Sequence, residues 1–122
     1  MNGYQLTFYT ERNRKHGHQA ICDWLLHVVR ELGIHGASVI TCTEGIGHAG
    51  AHHAAHALKL ADQPLQIILA LTEEEAERIL DVVRAENVHV FYTRFPIEFG
   101  IIGDDAVPRR SKHFSLPGRS PR

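Results

Sequence analysis

Cysteine is scarce, with two in 122 residues, and neither Cys22 nor Cys42 stands in a metal-type or multi-bridge spacing. A disulfide framework is therefore excluded as the source of stability, and both thiols are read as reduced and part-buried. No apolar run approaches the ~20 residues that carry a helix through a bilayer. The opening Met1-Asn2-Gly3-Tyr4-Gln5 lacks the basic and apolar segments of a secretory leader, so the cytoplasm is the expected compartment. Net charge is nearly absent too, at −1, whereas a protein dedicated to nucleic acid needs a clustered positive field. Catalytic signatures are missing as well. There is no serine in a G-x-S-x-G elbow, neither cysteine lies in a reactive motif, and Glu73 to Glu75 are accounted for as a helix start. An enzyme is not expected.

What remains is a chain of one-domain length whose 43% apolar residues suffice for a core. Charge is unevenly placed. Residues 1–103 are acidic on balance, while 104–122 carry Arg109, Arg110, Lys112, Arg119 and Arg122 with three of the five prolines. Such a tail cannot bury enough apolar surface to offset the entropy of ordering it. The sequence thus divides into a folded domain, 1–103, and a flexible basic tail, 104–122.

Tyr4, Leu6 and Phe8 alternate with Gln5, Thr7 and Tyr9, the period of a strand with one face on a core. A polar connection, Glu11 to Gly17, leads to a helix in which Ile21, Trp24, Leu25, Val28, Val29 and Leu32 form one apolar stripe. Gly33 supplies the left-handed residue that ends it. Ala37 to Cys42 reads as a second strand with apolar bulk on both faces, as an interior strand would show. Leu65 to Leu71 reads as a third. Thr72-Glu73-Glu74-Glu75 has the spacing of a capping box, and it opens a second helix with Ala76, Ile79, Leu80 and Val83 on its apolar face. Val88 to Phe95 is a fourth strand, with Ile97 to Ile102 as an extension or a short extra one.

The order strand, helix, strand, strand, helix, strand with right-handed crossovers gives an α+β, ferredoxin-like βαββαβ fold. Its four-stranded antiparallel sheet carries both helices on one face. The other face is left bare, and Ile40, Ile68, Phe91 and Phe95 fall at positions that project to it. That is too much apolar surface for water, so the bare faces are expected to meet in an oligomer.

Three groups of residues carry candidate chemistry. Glu11, Arg12 and Arg14, with Lys15 and His16, either clamp a phosphate or carboxylate through guanidinium forks or form an ordinary solvated loop. Gly45, Gly47 and Gly50 either let backbone amides close on an anion or simply turn the chain. His48, His52, His53 and His56 read as H-x3-H-H-x2-H in a stretch able to be helical. There, residues four apart share a face and two imidazoles chelate a Zn, Cu or Ni ion. The alternative is a polar loop rich in histidine.

Gly33-Ile34-His35-Gly36-Ala37-Ser38-Val39 followed by Gly45-Ile46-Gly47 resembles the signature of PII-like signalling proteins. Glu11-Arg12-x-x-x-His16-Gly17 is similar to the branch catalogued as domain of unknown function 190. The resemblance spans about residues 4–102. It implies a homotrimer of the ferredoxin-like unit that binds a small anionic effector, such as the adenine nucleotides ADP, ATP, AMP or cyclic AMP, in clefts between subunits. It also implies a 44–62 loop that docks on a partner such as a membrane transporter or an enzyme. Carried over by position, the cleft involves Gly36, Ala37, Ser38, Gly45, Ile46, Gly47 and His48. Classical PII proteins carry a glycine-rich, lysine-bearing phosphate loop between the second helix and the fourth strand; here that place holds Arg84-Ala85-Glu86-Asn87-Val88. The competing reading is a metal-binding sensor or tolerance protein, similar in fold to CutA-type relatives, with His48, His52, His53 and His56 as the site.

Overall fold

A computed structural model describes residues 1–42, 44–46, 52–54 and 63–103, with side chains for all but 44–46 and 52–54. The long first strand, β1 (Asn2–Glu11), is central. It is followed by a miniature hairpin, β2 (Lys15–His16) and β3 (Gln19–Ala20), and helix α1 (Ile21–Glu31). Then come β4 (Ala37–Thr41), the short pair β5 (Glu44–Ile46) and β6 (His52–Ala54), β7 (Pro64–Leu71), α2 (Glu73–Ala85) and β8 (Phe91–Glu98). The main sheet has the order β4-β7-β1-β8 and every neighbouring pair is antiparallel. Each helix therefore links strands that are not neighbours, which is the split β-α-β arrangement expected from the sequence.

Residues opposite one another in a ladder share a face, and successive residues alternate. Leu6 pairs with Leu69, and Phe8 pairs with both Ile67 and Tyr92. This is the face under the helices. Leu6, Phe8, Ile67, Leu69, Leu71, Leu25 and Ile79 are essentially inaccessible there. Each such side chain contributes roughly 1.5–3 kcal/mol by leaving water. The α1 stripe is as the spacing predicts, with Ile21, Leu25, Val28 and Val29 buried. Helix α1 ends at Gly33, whose φ is 73°.

Helix α2 begins with the capping box in full: Thr72 Oγ1 accepts from Glu75 N at 3.1 Å and Glu75 Oε1 accepts from Thr72 N at 3.0 Å. Three acidic residues occupy its first turn, where the helix dipole favours them. Replacing Thr72 by Ala leaves the Glu75 amide without its partner. The expected loss is about 0.5–2 kcal/mol, measured by urea denaturation.

Three sequence expectations are corrected. Strand β4 is an edge strand, not an interior one, and Ser38, Val39, Ile40 and Thr41 are exposed along it. The topology dictates this, since only β7 pairs with it. Strand β8 starts at Phe91 instead of Val88, because the preceding groups are used elsewhere. Val88 N turns back to Val83 O, and the His89 carbonyl accepts from the Arg14 guanidinium. The strand then runs through Pro96 to Glu98, and proline is tolerated because β8 is the other edge. Finally, His52 and His53 lie in a short strand paired with Ile46 and Gly45, not in a helix. The rest of the loop and the tail of 104–122 lie outside the described residues.

Candidate functional site

The register gathers the chain connections at one end of the sheet. Thr41 and Thr10 both lie opposite Leu65, Glu11 opposite Pro64, and Tyr9 opposite Phe91. The end of β4, the start of β7, the end of β1 and the start of β8 therefore stand side by side. Backbone bonds continue the ladder past the strands: Cys42 N donates to Pro64 O at 2.9 Å and Arg12 N to Gln63 O at 3.0 Å. The two feet of the 42–63 segment thus stand side by side on one side of the β1 exit, and the Gln63 foot is bonded to it.

The charged connection after β1 is ordered by its own side chains. Arg12 Nε donates to Gln63 Oε1 at 3.3 Å. Arg14 reaches the other way to the His89 carbonyl. Gly17, with φ at 66°, turns the β2-β3 hairpin. The chain then enters α1 through a bond from Ile21 N to Arg14 O at 2.8 Å. His16 sits against Trp24 with ring centroids 4.8 Å apart, and its Nε2 lies 3.2 Å from Glu86 Oε1 at the end of α2. Arg12 also lies near enough to Cys22 to lower its thiol pKa, but burial is the larger effect and, with Asp23, pushes it up. Cys22 is accordingly not a nucleophile-type thiol.

Of the residues expected to bind a ligand, the structure brings Glu11, Arg12 and Arg14 to this end. Gly45 and Ile46 lie in β5, opposite His53 and His52. Ser38 stands in mid-sheet on the bare face, opposite Ile68, while Ala37 opposes Leu69 on the helix side. Gly36, with φ at 94°, precedes β4 towards the far end of the sheet. Gly36, Ala37 and Ser38 thus do not share one surface with the arginines of the same chain. Gly47, His48 and His56 lie outside the described residues. Among the described residues no group of three metal-type side chains converges. The strand conformation of His52 and His53 also removes the one-face helical spacing on which chelation by His52 and His56 rested. A separate concavity of about 390 Å³ lies at the opposite end of the sheet, lined by Tyr4, Glu73 and Glu98 among others.

The second surface is the bare face of the sheet. Tyr9, Phe91, Phe95, Ile40 and Ile68 all point to it by register. Phe91 is 61%, Phe95 58% and Ile40 46% exposed. Tyr9 packs on Phe91 at 5.4 Å, and its hydroxyl lies 3.3 Å from Thr93 Oγ1. Sequence reasoning singled out the arginines and anticipated the apolar surface of this face. It missed Gln63, His89 and the His16-Trp24-Glu86 group, whose only advance signal was Gly17 between two polar pairs, a hairpin pattern.

Comparison with known proteins accords with this architecture. Residues 3–98 match the family profile DUF190, described as uncharacterized ACR. No curated protein matches the chain. Among solved structures, CPII, a nitrogen regulatory PII-like protein from Thiomonas intermedia K12 bound to ADP, AMP and bicarbonate, superposes with a TM-score of 0.64 at 18% identity, covering 82% of this chain and 90% of that one. A putative PII-like signaling protein from Thermus thermophilus gives 0.61 at 18% identity, over 80% and 88% of the two chains. CPII bound to ADP, AMP and acetate gives 0.56 at 18% identity, over 81% and 89%. With its match running almost from end to end of the ferredoxin-like unit, the chain belongs to the DUF190 family and has a PII-like fold.

Proposed function

We propose that the protein is a PII-like regulator that assembles through the bare face of its sheet and binds a small anionic effector, an adenine nucleotide, between subunits. The observation that carries this reading is the pairing of two features on one rigid frame. One is an apolar sheet face that water does not favour, and the other is the arginine-bearing connection at the sheet end beside the feet of the 42–63 segment. A trimer closed through the faces would bring a neighbour's β4, with Gly36 and Ser38, towards these arginines, which a single subunit does not do. The nucleotide is suggested by the fold's similarity to CPII structures that hold ADP and AMP.

Regulation follows from differential affinity. An effector biases the 44–62 loop only as far as it prefers one of that loop's states, and a partner such as a transporter or an enzyme reads the state. No bond is made or broken. Among the described residues no helix is long and apolar enough to cross a membrane.

Titration calorimetry with ADP, AMP, ATP and cyclic AMP, run beside Zn, Cu and Ni, tests the reading. Nucleotide affinity that falls about tenfold or more in Arg12→Ala is the expected result, since a charge-assisted hydrogen bond contributes roughly 1.5–3 kcal/mol. Arg12 is exposed, so the variant keeps the fold. Metal binding without nucleotide binding would overturn the assignment.

A further inference from the structure

We infer that the base of the nucleotide stacks on the aromatic pair Tyr9 and Phe91 while Gln66 reads its edge, which makes the arginine end of the bare face an adenine-recognition surface. The inference rests on the nucleotide reading above and adds to it the residues that tell one base from another. By register, Ile40, Gln66, Tyr9 and Phe91 stand side by side in one row across β4, β7, β1 and β8. Strand β8 begins at Phe91, so this is the last row of the bare face that spans all four strands.

Two rings of that row form a platform that exists before any ligand arrives. The Tyr9 and Phe91 centroids are 5.4 Å apart, and the Tyr9 hydroxyl lies 3.3 Å from Thr93 Oγ1, which fixes the ring. Phe91 leaves 61% of its surface to water. Cationic groups are set just outside the platform. The Arg14 guanidinium is held at the carbonyl of His89, two residues before Phe91, and Arg12 is bonded to Gln63, three residues before Gln66. Charge therefore lies at the sheet end and aromatic surface immediately inside it, the order in which a nucleotide presents its phosphates and its base.

Contact with a neighbouring subunit would account for an exposed ring but not for the make-up of the row. Gln66 stands between Ile40 and Tyr9, and the next row inward holds Ser38, Thr7 and Thr93 beside Ile68. So mixed a surface suits a ligand with an apolar face and a polar edge, as a purine has. Every base offers a π-face to an aromatic ring, whereas the edges differ, and a glutamine amide matches the N6 amino group and N7 of adenine. Gln66 Nε2 donates to Cys42 Sγ at 3.6 Å, and its carbonyl oxygen is the acceptor for the amino group. Guanine carries an oxygen at that position and is disfavoured.

Titration calorimetry of the full-length protein with ADP, GDP and pyrophosphate, which has the charge but no base, tests the assignment. Phe91→Leu keeps apolar bulk and removes the ring. It is expected to weaken ADP binding at least about fivefold while pyrophosphate affinity and the mass in light scattering stay the same. Gln66→Met is expected to narrow the preference for ADP over GDP. In NMR spectra the adenine H2 and H8 resonances are expected to move upfield on binding to the unaltered protein, through the ring currents of the platform. Unchanged ADP affinity in Phe91→Leu, or an equal loss for pyrophosphate, would overturn the platform and leave the nucleotide reading standing. No preference for ADP, or one that Gln66→Met leaves unchanged, overturns the role of Gln66. Should Phe91→Leu alter the mass, the upfield shift in the unaltered protein decides, and its absence overturns the platform. A protein that binds no ADP at all overturns the nucleotide reading itself and the platform with it.

Discussion

Phe95→Glu is expected to yield a folded monomer that no longer binds nucleotide. Phe95 stands on edge strand β8 with 58% of its surface exposed, opposite Gln5 on the bare face. In an isolated subunit a glutamate there meets water, and surface substitutions of this kind usually move stability by no more than about 0.5 kcal/mol. In an assembly closed through the faces, the same change removes a buried ring contributing roughly 1.5–3 kcal/mol per copy and puts an unpaired carboxylate in its place, a cost of several kcal/mol more. Multi-angle light scattering at micromolar concentration reads the mass, and circular dichroism checks the fold. If the altered protein keeps the mass of the unaltered one, the bare face is not the interface. If it becomes a monomer yet binds nucleotide unchanged, the effector does not sit between subunits.

The largest effect on stability is expected at Phe8. It is wholly buried, faces Ile67 and Tyr92 across the ladders, and has its ring centroid 6.3 Å from that of Tyr92. Truncation to alanine removes the ring from the centre of β1, between β7 and β8, and leaves a cavity that the two flanking strands cannot close together. Such changes cost about 3–5 kcal/mol, a large part of the ~5–15 kcal/mol that holds a domain of this kind folded. Urea denaturation should show a lower midpoint with an unchanged slope. A loss under about 1 kcal/mol would mean that the helices do not clamp this face of the sheet as described.

Much of the frame was legible because its signals are periodic. Alternation along Tyr4 to Tyr9 and the stripe from Ile21 to Leu32 reflect burial on one face, and the Thr72-Glu75 cap is written in four consecutive residues. Even the bare face could be read, since Ile40, Ile68, Phe91 and Phe95 are apolar on the parity opposite to the core. Less visible was what depends on neighbours distant in sequence. Whether β4 is interior or edge is decided by the crossover order, not by Ala37 to Cys42. The start of β8 is set by Arg14, some 75 positions upstream.

Gly3 is another example. Nothing local marks it, yet a methyl group there would collide with the Leu71 carbonyl and the Phe99 ring. The candidate site was legible as residue types, in Arg12 and Arg14, but not as geometry. Periodicity says nothing of the bonds to Gln63 and His89 that aim those side chains.

The position of β8 bears on how the molecule comes to be folded. Its partner β1 lies at the start of the chain, and the register joins Asn2 to Glu98 and Tyr9 to Phe91. Closing so long a loop costs entropy before any contact rewards it. During synthesis, one side of β1 stays an open template for stray pairing until the last strand has cleared the ribosome. The unit therefore completes itself only after β8 is made, and a chain that lacks residues 91–98 leaves that edge of β1 unpaired.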